Sequence, residues 1–183
     1  MKRLSHLLLI LLVFNCNTTK TNNPEEIYQN ASNEFISKLL RLQKFDCDCI
    51  IQPTITLFDK KNIETPRIGY DDLVLESFNL KSKKQLDSIN ELAKKTNLNQ
   101  LVIQSNYKFI SVDSWLKIIQ IKNRDKRQRA VDSMCPNGFM TMTKPIFNKT
   151  YDKVFIITND IPYSCLTIPP FMYEKINNEW III

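Results

Sequence analysis

Two residue types that many catalytic sites depend on are almost missing from this chain. Histidine occurs once, as His6, inside the stretch interpreted below as a signal peptide. The mature chain would then have no histidine for a catalytic triad, a cysteine–histidine pair or a zinc site. Glycine occurs only as Gly69 and Gly138, whereas a phosphate-binding loop needs several closely spaced glycines. We therefore expect no cofactor, no metal and no nucleotide partner.

The longest apolar run, Leu7 to Phe14, is too short to cross a membrane. Even the wider stretch from Leu4 to Phe14, at about 1.5 Å per residue, spans roughly half of a hydrocarbon core of about 30 Å. Lys2 and Arg3 precede the run and Asn15 ends it. A positive start, a short apolar segment and an abrupt polar boundary are typical of a secretory signal peptide, here residues 1–15.

Cys16 comes two residues after the end of this run, and Val13-Phe14-Asn15-Cys16 resembles the lipobox of bacterial lipoproteins. The resemblance implies cleavage before Cys16, diacylation of that cysteine and a lipidated tether over residues 16–23. The protein would then be held at the membrane by N-terminal acyl chains, in the cell envelope and facing the periplasm. Ordinary cleavage after Thr18 is the alternative, because Cys16 and Thr18 would occupy the small-residue positions.

The rest of the chain, residues 24–183, has the size of one ordinary domain. Its hydrophobic content, 43% over the whole sequence, is that of a globular protein. The net charge of +6 falls to +4 when Lys2 and Arg3 leave with the signal peptide. Lysine outnumbers arginine, 19 to 6, although arginine captures phosphate better. The charge is therefore weak evidence for an anionic partner, and we expect no nucleic acid.

Helical signals dominate the first half of this domain. Asn23 is a candidate N-cap and Pro24 a first helical residue, and an apolar stripe at helical spacing predicts a helix from Pro24 to Phe45. Ser82-Lys83-Lys84-Gln85 has the form of a capping box and predicts a second helix from Lys83 to Thr96. Between them, Leu73 to Phe78 is interpreted as a strand. Because proline cannot donate a backbone hydrogen bond, Pro53 predicts that the short apolar segment starting at Ile50 lies at the edge of a sheet or in a bend.

From Phe139 onward the apolar period changes to two, which favours strands. Asn177-Asn178 suits a two-residue hairpin, because asparagine tolerates positive φ. Short connections predict an antiparallel meander, and the N-terminal helices would pack on it in a single α+β domain. The predicted strands are Phe139–Thr143, Lys153–Thr158, Tyr163–Thr167, Phe171–Ile176 and Glu179–Ile183.

The last fifty residues resemble a known group. Pro136-Asn137-Gly138-Phe139, Thr143-Lys144-Pro145-Ile146-Phe147-Asn148 and the closing Glu179-Trp180-Ile181-Ile182 are similar to segments of uncharacterised lipoproteins of Bacteroidota. In that group a small sheet ends in a tryptophan hairpin with a glycine turn, which Asn178-Glu179-Trp180 replaces here. The resemblance implies an envelope location and this kind of sheet, and it carries no activity.

Four cysteines remain in the predicted domain: Cys47, Cys49, Cys135 and Cys165. An even number in an exported protein favours disulfides. A bond between Cys47 and Cys49 would close a strained ring, so we expect each to pair with Cys135 or Cys165. Buried free thiols are one alternative. A thiol-redox pair or soft metal site at Cys47-Asp48-Cys49 is another, although redox motifs usually space their cysteines by two.

One further surface has a charge pattern of interest. A run of five basic residues with one acid is interpreted first as a solvated helix face. It could otherwise contact anionic lipid headgroups, envelope glycans or an acidic protein. The run contains Lys122, Arg124, Lys126, Arg127 and Arg129.

Together these patterns predict a lipid-anchored envelope protein that serves as a non-catalytic binding or structural module for an unidentified envelope partner. The alternative is an envelope enzyme. It would be a thiol oxidoreductase that uses Cys47 and Cys49, or a hydrolase that uses a pair of carboxylates from Asp46, Asp48, Asp71, Asp72 and Glu76.

Overall fold

The computed structural model describes residues 23–42, 47–53, 70–99, 106–159 and 171–183. Within them the fold is α+β, as predicted, with helices packed on an antiparallel sheet and a smaller mixed sheet. The helices are α1 (Pro24–Leu42), α2 (Tyr70–Ser77), α3 (Lys83–Lys95), α4 (Val112–Ile119) and α5 (Arg124–Met134). The strands are β1 (Cys49–Ile51), β2 (Lys108–Ile110), β3 (Phe139–Met142), β4 (Ile146–Phe147), β5 (Lys153–Ile156), β6 (Thr158–Asn159), β7 (Phe171–Ile176) and β8 (Glu179–Ile182).

Helix α1 begins as its sequence predicts. The Asn23 side chain accepts a hydrogen bond from the Glu25 backbone N–H at 3.1 Å, and Pro24 occupies the first helical position. Phe35 and Leu39 are buried, as expected for the apolar stripe, whereas Ile27 is partly exposed. The stripe holds α1 against α3 and β8.

The mixed sheet has the strand order β2-β1-β3-β6, and β1 is parallel to both of its neighbours. The prediction that Pro53 keeps this segment at an edge or bend is wrong. Pro53 lies two residues beyond the end of β1, so its missing N–H removes no bond from the ladder. Because β1 is central, it is buried on both faces: Ile50 belongs to one core cluster, and Cys49 and Ile51 to the other.

The antiparallel sheet has the order β4-β5-β7-β8. Its hairpin turn at Asn177-Asn178 is confirmed: both residues have positive φ, 51° and 67°, as a type I′ turn requires. The predicted meander is interrupted at its start, because the strand at Phe139 joins the mixed sheet instead. The predicted strand Tyr163–Thr167 lies outside the described residues.

The larger core lies between helices α1 to α3 and the two sheets. Its centre is aromatic: the Phe35 ring meets Phe147, Tyr173 and Trp180 at centroid distances of 6.0, 5.3 and 5.1 Å in edge-on arrangements. Edge-to-face contacts of this kind stabilise aromatic pairs beyond their buried area. They join α1 to three strands of the antiparallel sheet.

The prediction of a strand from Leu73 to Phe78 is wrong, because this segment lies in and just after helix α2. Asp71 and Asp72 stand in its first turn, where a carboxylate stabilises the positive end of the helix dipole. Val74 is fully buried while Leu73 is 44% exposed, so one face of a helix, and not alternate residues of a strand, meets the core.

Candidate functional site

Helix α4 is a short helix laid on the mixed sheet. Its N-cap is Ser111, whose hydroxyl accepts a hydrogen bond from the Ser114 N–H at 3.2 Å. From sequence, the apolar cluster that starts at Trp115 fits a helix or a strand, with Asp113 or Ser114 as candidate N-cap. The structure shows a helix, and its cap is Ser111. Ile118 is buried, and the Trp115 ring lies 4.5 Å from that of Phe139 in β3. These contacts hold α4 on the face of the sheet that is opposite to the larger core.

Helix α5 is fixed at both ends. At its start the Asn123 side chain accepts a hydrogen bond from the Lys126 N–H at 2.9 Å. At its end Cys135 forms a disulfide with Cys49 of β1, with a Cα–Cα distance of 5.8 Å across 86 residues of sequence. Both cysteines are buried, so α5 is bonded covalently to the centre of the mixed sheet.

The turn after α5 is fastened to β1 by a second set of contacts. Both oxygens of the Asp48 carboxylate accept hydrogen bonds at 2.8 Å, one from the backbone N–H of Asn137 and one from its side-chain amide. These bonds hold the pKa of Asp48 below its ordinary value. Gly138 has a φ of 89°, which only glycine adopts readily. Asp48 therefore has a structural partner on each oxygen.

The disulfide prediction is confirmed for Cys49 and Cys135. Cys47 is also disulfide-bonded, and Cys165 lies outside the described residues. Both cysteines of the proposed redox motif are thus oxidised, and Cys49 has no exposed surface. Among the described residues, no group of three or more His, Cys, Asp or Glu side chains is placed to hold a metal ion.

The basic run lies at the start of α5 and in the loop before it. Lys122, Arg124, Lys126 and Arg129 are exposed, while Arg127 is half-buried. The Nε of Arg127 is buried and has no hydrogen-bond partner within the described part of the chain. The structure thus brings the five predicted cations together on one short helix and its leading loop.

This arrangement opposes helix stability. Arg124, Lys126 and Arg127 occupy the first turn of α5, at the positive end of the helix dipole, and the last turn contains no basic residue. A cation at that end costs typically 0.3–1 kcal/mol, and Asp125 in the same turn offsets one of the three, so the net cost is about 1 kcal/mol at low salt. Residues that lower stability without a structural gain are candidates for function.

Two apolar side chains stand beside these cations. Leu116 and Ile119, three residues apart on α4, are each 41% exposed, although α4 buries Ile118. Ile119 precedes Lys122 by three residues, so the apolar pair lies next to the basic loop. We call the whole feature the α4–α5 surface; its members are Leu116, Ile119, Lys122, Arg124, Lys126, Arg127 and Arg129.

A second exposed apolar group lies on the hairpin of β7 and β8. Ile176, Ile181 and Ile182 are 44%, 45% and 48% exposed. Their neighbours Glu174 and Lys175 have opposite charges. This group therefore has no excess of one charge that would indicate the chemistry of a partner.

Lys144 is a buried cation that the sequence reading did not single out. It is 7% exposed, and its ammonium group donates hydrogen bonds to the carbonyl oxygens of Lys94 and Thr96, at 2.7 and 2.6 Å. These carbonyls lie at the end of α3, where the helix leaves acceptors without intrahelical donors. Burial lowers the pKa of Lys144. Lys144 therefore caps the C-terminal end of α3. In the sequence, the only sign of its burial is its position among apolar residues of the predicted sheet.

No protein-family model, curated protein or solved structure matches this chain. In the part of the chain that the structure describes, none of the helices has the length and apolar character needed to span a bilayer. The features of the molecule that bear on its function are the chemistry of the α4–α5 surface and the sequence pattern that precedes the domain.

Proposed function

We propose that the protein is a lipid-anchored component of the cell envelope, attached to the membrane through acyl chains on Cys16 and facing the periplasm. Its domain serves as a non-catalytic binding module, and its C-terminal segments resemble those of uncharacterised lipoproteins of Bacteroidota. The α4–α5 surface is its contact surface. The anchor keeps the domain near the membrane, and the surface provides the recognition.

The observation that carries this proposal is the disulfide between Cys49 and Cys135. Structural disulfides persist in oxidising compartments and are rare in the cytosol. A buried disulfide at the centre of the mixed sheet therefore supports export, which is also what the signal-like segment of residues 1–15 predicts. Export explains both features together, and the position of Cys16 just after the apolar run is what supports acylation.

The binding role is supported by the location of charge. Residues 111–135 contain six basic and three acidic side chains, a net charge of +3, against +4 for the whole predicted mature chain. Nearly all of the excess charge thus belongs to α4, α5 and their connections. This segment is also bonded to β1 by the disulfide, so the surface is presented on a rigid support.

Two substitutions distinguish acylation from ordinary cleavage. Cells that express the wild type, Cys16→Ser or Thr18→Leu are fed a clickable fatty acid, and the protein is isolated and labelled. We expect label on the wild type and on Thr18→Leu, and none on Cys16→Ser. The wild type should also fractionate with membranes. If Thr18→Leu accumulates as precursor while Cys16→Ser is processed normally and carries no label, cleavage follows Thr18 and the anchor does not exist.

A further inference from the structure

We propose that the α4–α5 surface docks the domain onto an anionic lipid bilayer, with Leu116 and Ile119 entering the headgroup region and the cations of α5 contacting lipid phosphates. This deepens the proposed function and rests on it, because the anchor places the domain at a bilayer. The partner of the surface is then the membrane itself, and the domain lies on the membrane instead of extending away from it.

The charge of the surface fits an anionic bilayer. Lys122, Arg124, Lys126 and Arg129 are all exposed and lie within eight residues of one another, with Asp125 as the one acid among them. The N-terminal dipole of α5 adds to their positive potential. A Lys or Arg close to an anionic lipid surface strengthens binding by about fivefold, the equivalent of about 1 kcal/mol. The arrangement that disfavours the helix in isolation becomes favourable against negative headgroups.

The apolar pair selects lipid over the other anionic partners. Envelope glycans and acidic protein surfaces offer hydrated polar groups, against which the exposed Leu116 and Ile119 would gain little. At a bilayer, aliphatic side chains next to lysine and arginine enter the boundary between headgroups and acyl chains, as interfacial helices do. Two such side chains are too few for stable attachment alone. The surface therefore needs the anchor, which raises its effective concentration at the bilayer.

The tether is long enough for the domain to lie down. Residues 16–23, fully extended, would span at most about 28 Å. A compact domain of about 160 residues has a radius of gyration of about 15 Å. The anchored domain can therefore rotate until the α4–α5 surface faces the bilayer, although α4 and α5 lie on the side of the mixed sheet opposite to α1.

Fluorescence of Trp115 tests this directly, because Trp115 precedes Leu116 on α4. The chain contains two tryptophans, and Trp180→Phe leaves Trp115 as the only tryptophan, which can be excited selectively over the tyrosines. The full mature protein, as isolated from cells, is reconstituted into vesicles that contain lipids with dibrominated acyl chains. One set is phosphatidylcholine, and the other is an equimolar mixture of phosphatidylcholine and phosphatidylglycerol. We expect bromine quenching of Trp115 in the anionic vesicles and little in the zwitterionic ones.

Variants separate the two parts of the surface. Arg124→Gln, Lys126→Gln and Arg129→Gln together should weaken docking by about 100-fold and abolish the quenching. The matched control removes three exposed lysines at and just before the start of α3, by Lys81→Gln, Lys83→Gln and Lys84→Gln, and should leave the quenching unchanged.

The apolar part is tested in the same way. Leu116→Ser with Ile119→Ser should reduce quenching without any change in charge. Ile176→Ser with Ile181→Ser removes two equally exposed side chains elsewhere and should have no effect. Far-UV circular dichroism of each variant confirms that it is folded.

Salt provides a second readout. Raising the salt concentration from about 0.1 M to about 1 M shortens the Debye length from about 10 Å to about 3 Å and should release the domain.

Absence of quenching in anionic vesicles overturns docking, and so does equal quenching in both vesicle types. Equal loss in the α3 control would show that net charge alone matters and also refutes the surface. Fatty-acid labelling reports the anchor independently, so failure of docking and failure of anchoring are distinguishable.

Discussion

Removal of the Cys49–Cys135 disulfide should destabilise the protein strongly. The perturbation is the double variant Cys49→Ala with Cys135→Ala, which leaves no unpaired thiol from this bond. The bond closes a loop of 86 residues, for which the chain-entropy model gives about 4.6 kcal/mol at 25 °C. This is the upper value, because Cys47 is disulfide-bonded as well.

The second bond lowers the expected loss. If Cys47 pairs with Cys165, the unfolded chain already connects residues 49 and 135 by a second route of about 32 residues, and the same model gives about 3.7 kcal/mol. We therefore expect a loss of about 4 kcal/mol in the free energy of unfolding. At this chain length that corresponds to a fall of roughly 8–16 °C in the unfolding midpoint.

Urea unfolding followed by circular dichroism measures this loss and its cause. An unfolded chain without the cross-link is more expanded, so the denaturant slope m should rise in the double variant as the midpoint falls. Damage to packing alone would lower the midpoint and leave m unchanged. A loss below about 1 kcal/mol with unchanged m would refute the reasoning, because the bond would then not constrain the unfolded chain.

Two further predictions concern buried polar contacts, both measured by urea unfolding. Lys144→Met removes the donor to the Lys94 and Thr96 carbonyls and should cost about 1–3 kcal/mol. Burial lowers the pKa of Lys144 in the folded protein below its ordinary 10.5. Between the folded and the unfolded pKa the unfolded chain binds more protons, so the stability of the wild type should rise with pH in that range. If Lys144→Met keeps this rise, Lys144 is not its source. Tyr28→Phe should also cost about 1–3 kcal/mol, because the buried hydroxyl donates to the Pro145 carbonyl at 3.0 Å and accepts from the Phe147 N–H at 3.1 Å. An unchanged unfolding midpoint would show that the Pro145 carbonyl and the Phe147 N–H find other partners.

Local signals predicted the parts of the fold that local chemistry controls. The start of α1 follows from Asn23 and Pro24, and the hairpin of β7 and β8 from two asparagines that tolerate positive φ. Both depend on backbone conformations that a few adjacent residues decide. The pairing of Cys49 with Cys135 was one of two expected for Cys49, since geometry excludes its neighbour Cys47.

The errors arose where distant contacts decide the structure. Leu73 to Phe78 contains apolar residues that suit a strand, but the core covers only one side of the segment and it forms α2. β1 is central because β2 and β3 pair with it from far along the chain. A short apolar run does not reveal either outcome, because its period fits more than one structure.

The candidate site was predicted in part. The basic run from Lys122 to Arg129 is visible in the sequence, and the structure places it at the start of α5. The exposure of Leu116 and Ile119 was not predictable, because their apolar cluster fits a helix or a strand equally. Only the packing of Ile118 and Trp115 on the mixed sheet leaves these two side chains at the surface.

The central claim is that this is an exported, disulfide-bonded domain anchored by lipid, and intact mass spectrometry of the protein isolated from cells tests it most directly. The account predicts a chain that begins at Cys16, carries acyl chains on that residue, and has Cys47, Cys49, Cys135 and Cys165 oxidised. Non-reducing peptide mapping should place Cys49 with Cys135 and Cys47 with Cys165. An unmodified N-terminus beyond Cys16, or four free thiols in freshly isolated protein, would contradict it.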